Sequence, residues 1–526
     1  AAKYDETTSQ LYGITSYREN SGTRQAIPWK VIGYDADNDG TFSMAEKPAW
    51  LTSLSKTEGD GGTAADQGTA TLTKDVTDLL AKRNNELKTA TALGSSSAPY
   101  DLSTKGGSVN RSTANSYVIS APGHYRIPLV YGNAIENGAT NDKSYVSHAA
   151  AGDPNVLYNF KDHAGANITD PWIEKTNGGA NNGVDGAEVV WADAADLVHS
   201  PSIVHDGGEG FLDFEVKASD IQSGNAVVAV KKGSTTVWSW HLWFAPKDAL
   251  DKIPVTNHQG KVYNFTKETL GWKPTQWSGS TYDKPRTVKV KVEQTVANNG
   301  TKQDAVINIT QNPGSVKKGT TTLYQFGRKD AFPGVDASKL AANSHFTENA
   351  GDNISIMNGI QHPDLYYTWG SNWQNNYSYY NLWSADNTTT GFNDNSVVKT
   401  VYDPSPVGFK MPASNAFTGF TTTGLHSTSQ SDMNVDGTSN LQQWTNNFGH
   451  NFWTNSSKTA TINFPASGTR YDGNGSLNRV GSYGFYWSAI LYSGISVCDM
   501  YFSLGNMVPV YETSPAYGLA VRPVSE

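Results

Sequence analysis

Residues 287–294 read Thr-Val-Lys-Val-Lys-Val-Glu-Gln, and residues 304–311 read Asp-Ala-Val-Ile-Asn-Ile-Thr-Gln. An apolar β-branched residue at every second position lines one face of an extended chain, which a strand can bury and a helix cannot. The two segments alternate cleanly and should pair with each other. Shorter runs of the same kind recur along the chain. They include Ile27-Pro-Trp-Lys-Val-Ile-Gly-Tyr, Thr69-Ala-Thr-Leu-Thr, Tyr117-Val-Ile-Ser, Tyr125-Arg-Ile-Pro-Leu-Val-Tyr, Ala187-Glu-Val-Val-Trp, Phe211-Leu-Asp-Phe-Glu-Val, Ala226-Val-Val-Ala-Val and Val237-Trp-Ser-Trp-His-Leu-Trp-Phe. Near the C-terminus, Tyr483, Phe485, Tyr486 and Trp487 open a further group of short strands that runs through Tyr501-Phe502 and Val508 to Tyr511. With 50 glycines and 22 prolines in 526 residues to break them, these runs read as hairpins of a mainly β protein. The one helix pattern spans residues 76–87, with apolar Val76, Leu79, Leu80 and Leu87.

Charge narrows the partners. Charged residues make up 17% of the chain and the net charge is −9, with no basic patch, which argues against nucleic acid and anionic membranes. No apolar run is long enough for a transmembrane helix. A single cysteine, Cys498, allows no internal disulfide and is expected in the core. The chain starts at Ala1-Ala2 without a leader, which fits either a cytosolic protein or an exported one whose leader has been removed.

The strand runs divide into four expected domains. Residues 1–105 form a β domain with the short helix, followed by a Ser95-Ser-Ser-Ala-Pro linker. Residues 106–245 form a β-sandwich of seven or so strands. Residues 246–315 form a small β domain around the alternating pair. Residues 316–526 form the C-terminal domain.

The C-terminal stretches Tyr483-Gly-Phe-Tyr-Trp-Ser-Ala, Tyr501-Phe-Ser-Leu-Gly-Asn-Met-Val-Pro-Val and Tyr517-Gly-Leu-Ala-Val-Arg-Pro-Val, with Tyr402-Asp-Pro-Ser-Pro-Val-Gly-Phe-Lys-Met-Pro upstream, resemble the Fibrobacter succinogenes major paralogous domain. That family has Cys in many members where this chain has Ser405. The resemblance covers roughly the last 200 residues, about the size of one domain. It implies a C-type lectin-like α+β domain at the C-terminus, after tandem small immunoglobulin-like sandwiches. It also implies an exported, lipid-anchored surface protein of the Bacteroidales type, which would favour a removed leader. The function implied is adhesion: capture of a glycan or protein on a host or bacterial surface, or service as a fimbrial tip subunit among other fimbrial subunits, without catalysis. A polysaccharide-processing surface enzyme and a purely structural pilus or stalk subunit are the alternatives.

Within that frame, the late loops that form the binding face in lectin-like relatives put Tyr492, Ser493, Ile495, Ser496, Asn506, Glu512 and Tyr517 forward as ligand contacts. Residues 366–380, which hold two tryptophans and five tyrosines among Asn, Ser and Gln, offer Trp373 and Tyr377 as further contacts. The alternative is a long loop with its aromatics turned inward. Trp238, Trp240 and Trp243 with His241 read as core, or else as a sugar platform. Trp383 and Trp487 read as core, and Arg522 as the anchor of the last strand. Acidic turns such as Asp206-Gly-Gly-Glu, and Asp193, read as solvated loops rather than a hydrolytic carboxylate pair. The sharpest motif is Asp35-Ala-Asp-Asn-Asp-Gly-Thr-Phe-Ser-Met-Ala-Glu46. It has the spacing of a twelve-residue Ca2+ loop. Asp35, Asp37 and Asp39 fall at positions 1, 3 and 5, the Thr41 carbonyl at 7, Ser43 at 9 and Glu46 at 12. Its flanks read as a strand and a proline instead of helices, so an acidic β-hairpin is the competing reading.

Overall fold

The computed structural model describes residues 8–149, 152–282, 284–436, 444 and 446–526. The protein is mainly β, with 41% strand and 9% helix, as the alternation requires. It forms two compact units, and each is built from distant parts of the chain. The first takes the chain through Leu79 together with Trp277–Val316; the second takes Leu80–Gln276 and Lys317–Glu526.

The first unit has two four-stranded antiparallel sheets. One runs in the order Thr23–Ala26, Ser9–Asn20, Gly62–Leu72, Leu51–Leu54. The other runs Asp304–Gln311, Arg286–Gln294, Trp29–Asp35, Glu58–Gly59. The alternating segments do pair, with Val290 opposite Ile307. The second sheet is completed from the N-terminal part, where Tyr34 lies opposite Val290 and Trp29 opposite Gln294. Tyr12, Ile14, Trp29, Tyr34, Leu51 and Leu72 share one core with Val288, Val290, Val292 and Ile309. Residues 1–105 and 246–315 are therefore not two independent domains. Closing an excursion of about 200 residues costs only ~5 kcal/mol. Four fully buried Val and Ile side chains, at roughly 1.5–3 kcal/mol each, offset that.

In the second unit, two four-stranded sheets occupy the expected sandwich region. One runs His199–Asp206, Glu209–Val216, Gly123–Pro128, Tyr100–Asp101. The other runs Gly186–Ala192, Gly224–Lys232, Thr235–Phe244, Ser116–Ile119. This region does not end at residue 245. The Asn115 amide donates to the carbonyls of Val401 (2.7 Å) and Asp403 (2.8 Å), and the Trp191 indole to that of Ala331 (3.1 Å). A further sheet joins Lys252–Thr256 and Val262–Thr266 to the chain's end, Val524–Ser525, and to Phe409–Lys410. The expected third domain is thus divided between the units. The Ser95-Ser-Ser-Ala-Pro stretch is not an interdomain linker either, because a turn bond from Ala98 to Ser95 closes it and Leu93 bridges to Gly123.

The helix spans Leu79–Thr89 and begins later than the pattern suggested. Val76 is left exposed, and Thr77–Asp78 form a short strand. What holds the helix is a buried ion pair. Arg83 meets Glu268 with two 2.7 Å bonds and lies over the Trp272 ring. Among the described residues, no helix is long and apolar enough to cross a membrane.

Candidate recognition face

Tyr483–Ser493, Ser496–Ser503 and Asn506–Thr513 form a three-stranded antiparallel sheet. The register sets Phe485 opposite Tyr501 and Asp499 opposite Tyr511. A row of rings follows from it. Tyr483 stacks on Phe485 (6.0 Å between centroids), Phe485 stacks on Tyr501 (5.3 Å), and Tyr511 meets Tyr501 edge-on (4.6 Å). The exposed Arg479 lies over Tyr483, 4.7 Å from the ring centroid, where the π face attracts a cation. Tyr517 packs edge-on against Tyr471 at 5.5 Å. Arg479 also lies over the Phe485 ring, 6.0 Å from its centroid. Burial pushes the Tyr511 and Tyr517 phenols up, Tyr517 to about 12, so at neutral pH both keep their O–H as a donor. Tyr471 and Tyr511 remain 42% and 41% exposed.

The middle strand also carries Asp499. It is 1% exposed, and neither carboxylate oxygen has a hydrogen-bond partner of ordinary geometry. Desolvation holds its pKa well above the usual carboxylate range; the nearby Thr513 side chain offsets part of this, and the Glu512 charge adds to it. Cys498 is fully buried, and its thiol is likewise pushed up by burial.

The expected contact residues separate into three places. Tyr492, Ser493, Ile495, Ser496 and Glu512 come together at one hairpin end. There Ser493 and Ser496 hydroxyls lie 2.8 Å apart, Ser496 donates to Glu512 (2.8 Å), and Tyr492 packs on Phe392. Asn506 sits at the other end of the Ser496–Ser503 strand, roughly 23 Å away at the usual rise per residue. It donates to the Tyr501 hydroxyl (3.1 Å) and contacts His426 (2.9 Å). Tyr517 is paired with Tyr471. Arg479, Tyr471, Tyr501 and Tyr511 are not among the contacts expected from sequence. The available signal was aromatic residues recurring on neighbouring strands of one predicted hairpin group.

Other candidates fall into the interior. Trp373 is 1% exposed, donates its N–H to the Thr368 carbonyl (2.9 Å), and packs edge-on against buried Tyr377. Neither residue offers a face to a ligand, although Trp369 in the same stretch is 40% exposed. Trp238, Trp240 and Trp243 are all fully buried, which removes the sugar platform. His241 is buried with them between Asn225 (2.8 Å) and Tyr324 (3.1 Å), and desolvation lowers its pKa to about 3. Trp383 and Trp487 are core residues, with indoles bonded to the carbonyls of Tyr402 and Tyr324. Arg522 is wholly buried and donates to three carbonyls, those of Thr266, Asn463 and Lys267, each at 2.7 Å. Asp206 and Glu209 flank a two-glycine hairpin turn and pair with Arg126 and Arg111 respectively. Asp193 is buried elsewhere against Asn225. In the Tyr402-Asp-Pro-Ser-Pro motif, Asp403 accepts from the Ser405 and Met411 N–H groups (2.7 and 2.9 Å), so its work is to shape a turn.

In the first unit, Asp35, Asp37 and Asp39 each place a carboxylate oxygen within 4.8 Å of the others. Thr41 follows them in the loop, and Ser43 caps a short 3-10 turn, Met44–Glu46.

A family described as a domain of unknown function, DUF8237, matches residues 433–524, a span that contains every residue of the aromatic face. No curated protein and no solved structure matches the chain.

Proposed function

We propose that this chain is a cell-surface recognition protein that binds a ligand non-covalently through the face formed by Tyr483, Tyr501, Tyr511 and Arg479. The observation that carries the reading is the row of partly exposed Tyr483, Tyr501 and Tyr511 rings on one paired sheet, with Arg479 over Tyr483. Tyrosine brings large contact area with little rotamer entropy to lose, so a rigid row of tyrosines is suited to binding. Ring faces take the C–H surface of a sugar, while phenol O–H groups and the guanidinium bond hydroxyls or carboxylates. A glycan is therefore the ligand class favoured here, and a protein surface is the other outcome to be tested. In this reading the chain acts at the cell surface as an exported, lipid-anchored adhesin or fimbrial tip subunit with a lectin-like C-terminal region, and no catalysis is involved.

The test uses the full chain, because a fragment starting near residue 320 would cut through the second unit. The protein is applied to neutral and acidic glycan arrays and to a panel of matrix and cell-surface proteins. Tyr511→Ala with Arg479→Gln abolishes the captured signal, while Tyr492→Ala with Ile495→Ser, at the hairpin end, leaves it intact. Binding that survives the first pair and disappears with the second moves the site to the hairpin end. No binding to any probe by folded protein ends the recognition reading.

A further inference from the structure

We propose that residues 35–46 of the first unit form a calcium site, independent of the recognition face. The Trp29–Asp35 strand is interior to its sheet, paired with Arg286–Gln294 on one side and Glu58–Gly59 on the other. Its last residue, Asp35, is 1% exposed because the following loop folds back over the strand. Tyr34 and Ser43 exchange both backbone hydrogen bonds at 2.9 Å. Gly33 permits this approach, since a Cβ there would stand 2.9 Å from the backbone of Phe42 and Ser43. The returning chain makes a single bridge and not a ladder, so the acidic hairpin reading does not describe the loop.

What points to a cation is an oxygen left over. Asp35 Oδ2 accepts the Gly40 N–H at 3.1 Å, whereas Oδ1 is shut from solvent with no partner. A buried carboxylate oxygen without a donor is costly, and few natural structures leave one so. A second orphan of the same kind is Glu46 Oε2. The two unsatisfied oxygens belong to positions 1 and 12 of a twelve-residue calcium loop; the Glu46 carboxylate lies outside the group gathered within 4.8 Å and would swing in to complete the ligand set. Between them, Asp37 and Asp39 bring further carboxylates to within 4.8 Å of Asp35, a concentration of like charge that a cation would neutralise. Gly40, at position 6, has φ +87°, the left-handed conformation that the sharp turn demands. The Ser43 hydroxyl, at position 9, accepts the Ala45 N–H at 3.1 Å and keeps a second lone pair for a cation or its water.

All the donors are oxygens, and their number fits a large hard cation. Ca2+ takes six to eight oxygens at flexible angles, whereas Mg2+ requires a tight octahedron and zinc prefers nitrogen or sulfur. A cation there would tie the Trp29–Asp35 strand to the Met44–Glu46 turn and stabilise the folded unit by mass action.

The experiment is calorimetric titration of the chelator-treated 526-residue chain with CaCl2 and with MgCl2, with thermal melts at each end point. One Ca2+ per chain, weak or absent Mg2+ binding and a Ca2+-raised melting temperature are expected. Asp37 and Asp39 are exposed, so the double variant Asp37→Asn/Asp39→Asn keeps the fold and loses the titration. Glu46→Gln weakens it without touching the aspartates. A flat wild-type titration with intact circular dichroism, or Ca2+ binding unchanged in both variants, overturns the proposal. Glycan or protein binding by the aromatic face is measured separately and has no part in either outcome.

Discussion

Two stretches of the second unit have much the same composition and opposite fates. Residues 366–380 and the Tyr483–Thr513 hairpins are both rich in Tyr, Trp, Ser and Asn. In the first, Tyr366, Tyr367, Trp373 and Tyr377 are all at most 4% exposed and only Trp369 is largely open, at 40%; the buried polar tips reach backbone carbonyls where such bonds form, as from Trp373 to Thr368 and from Tyr366 to Ala516. In the second, register puts Tyr483, Tyr501 and Tyr511 on neighbouring strands with their rings against one another and partly in water. An aromatic side chain with a polar end suits either place. What decides is whether the backbone around it offers a carbonyl in the interior or a flat strand at the surface.

That contrast can be tested by truncation. The largest effect is expected from Trp373→Ala, which should destabilise the protein by about 3–5 kcal/mol in chemical denaturation, the usual cost of emptying a buried tryptophan site. A loss below about 0.5 kcal/mol would show that the stretch is surface and erase the contrast.

Asp499→Asn is the next test, and its effect depends on pH. The carboxyl's folded-state pKa is raised above the unfolded value of 3.8. Its protonated form therefore favours folding at acid pH, and that contribution is lost as the pH rises through the folded pKa. The variant should melt higher than wild type at pH 8, with the gap closing toward pH 4. A gap that does not change with pH would rule out the ionisation account. His241 works in the other direction. Its pKa, lowered from 6.5 to about 3, supports the fold above pH 6.5 and withdraws that support as the pH falls toward 3. His241→Gln should flatten the acid limb of a melting curve measured over that interval.

The smallest stability effect belongs to the face itself. Tyr511→Ala should change stability by less than about 1 kcal/mol while removing captured ligand. A stability loss as large as that of Trp373→Ala would mean that the row is a core extension and not a binding surface.

Much of the fold could be read from local pattern. Val288, Val290 and Val292 point inward as their spacing requires, and the two alternating segments pair. The tryptophans at 383 and 487 and the arginine at 522 sit where the residue types suggest. The candidate sites were less readable. Tyr492, Ser493, Ile495, Ser496 and Glu512 do meet, because they flank one hairpin turn and its neighbouring strand. Asn506 could not join them, since it belongs to the turn at the opposite end of the same strand. Trp373 and Tyr377 were misplaced because composition carries no direction.

Periodicity and loop spacing act over a few residues, so local pattern is enough to say where strands form, which side of each is apolar, and that residues 35–46 carry oxygens at calcium spacing. The choice of partner strand acts across the whole chain. Long-range packing sets Arg286–Gln294 in one sheet with Trp29–Asp35, closes Val524–Ser525 against Val262–Thr266, and buries one oxygen of Asp35 without a partner. The physical reason is that burial of an apolar face rewards any complementary face that can reach it, and loop entropy rises too slowly with length to keep the choice local.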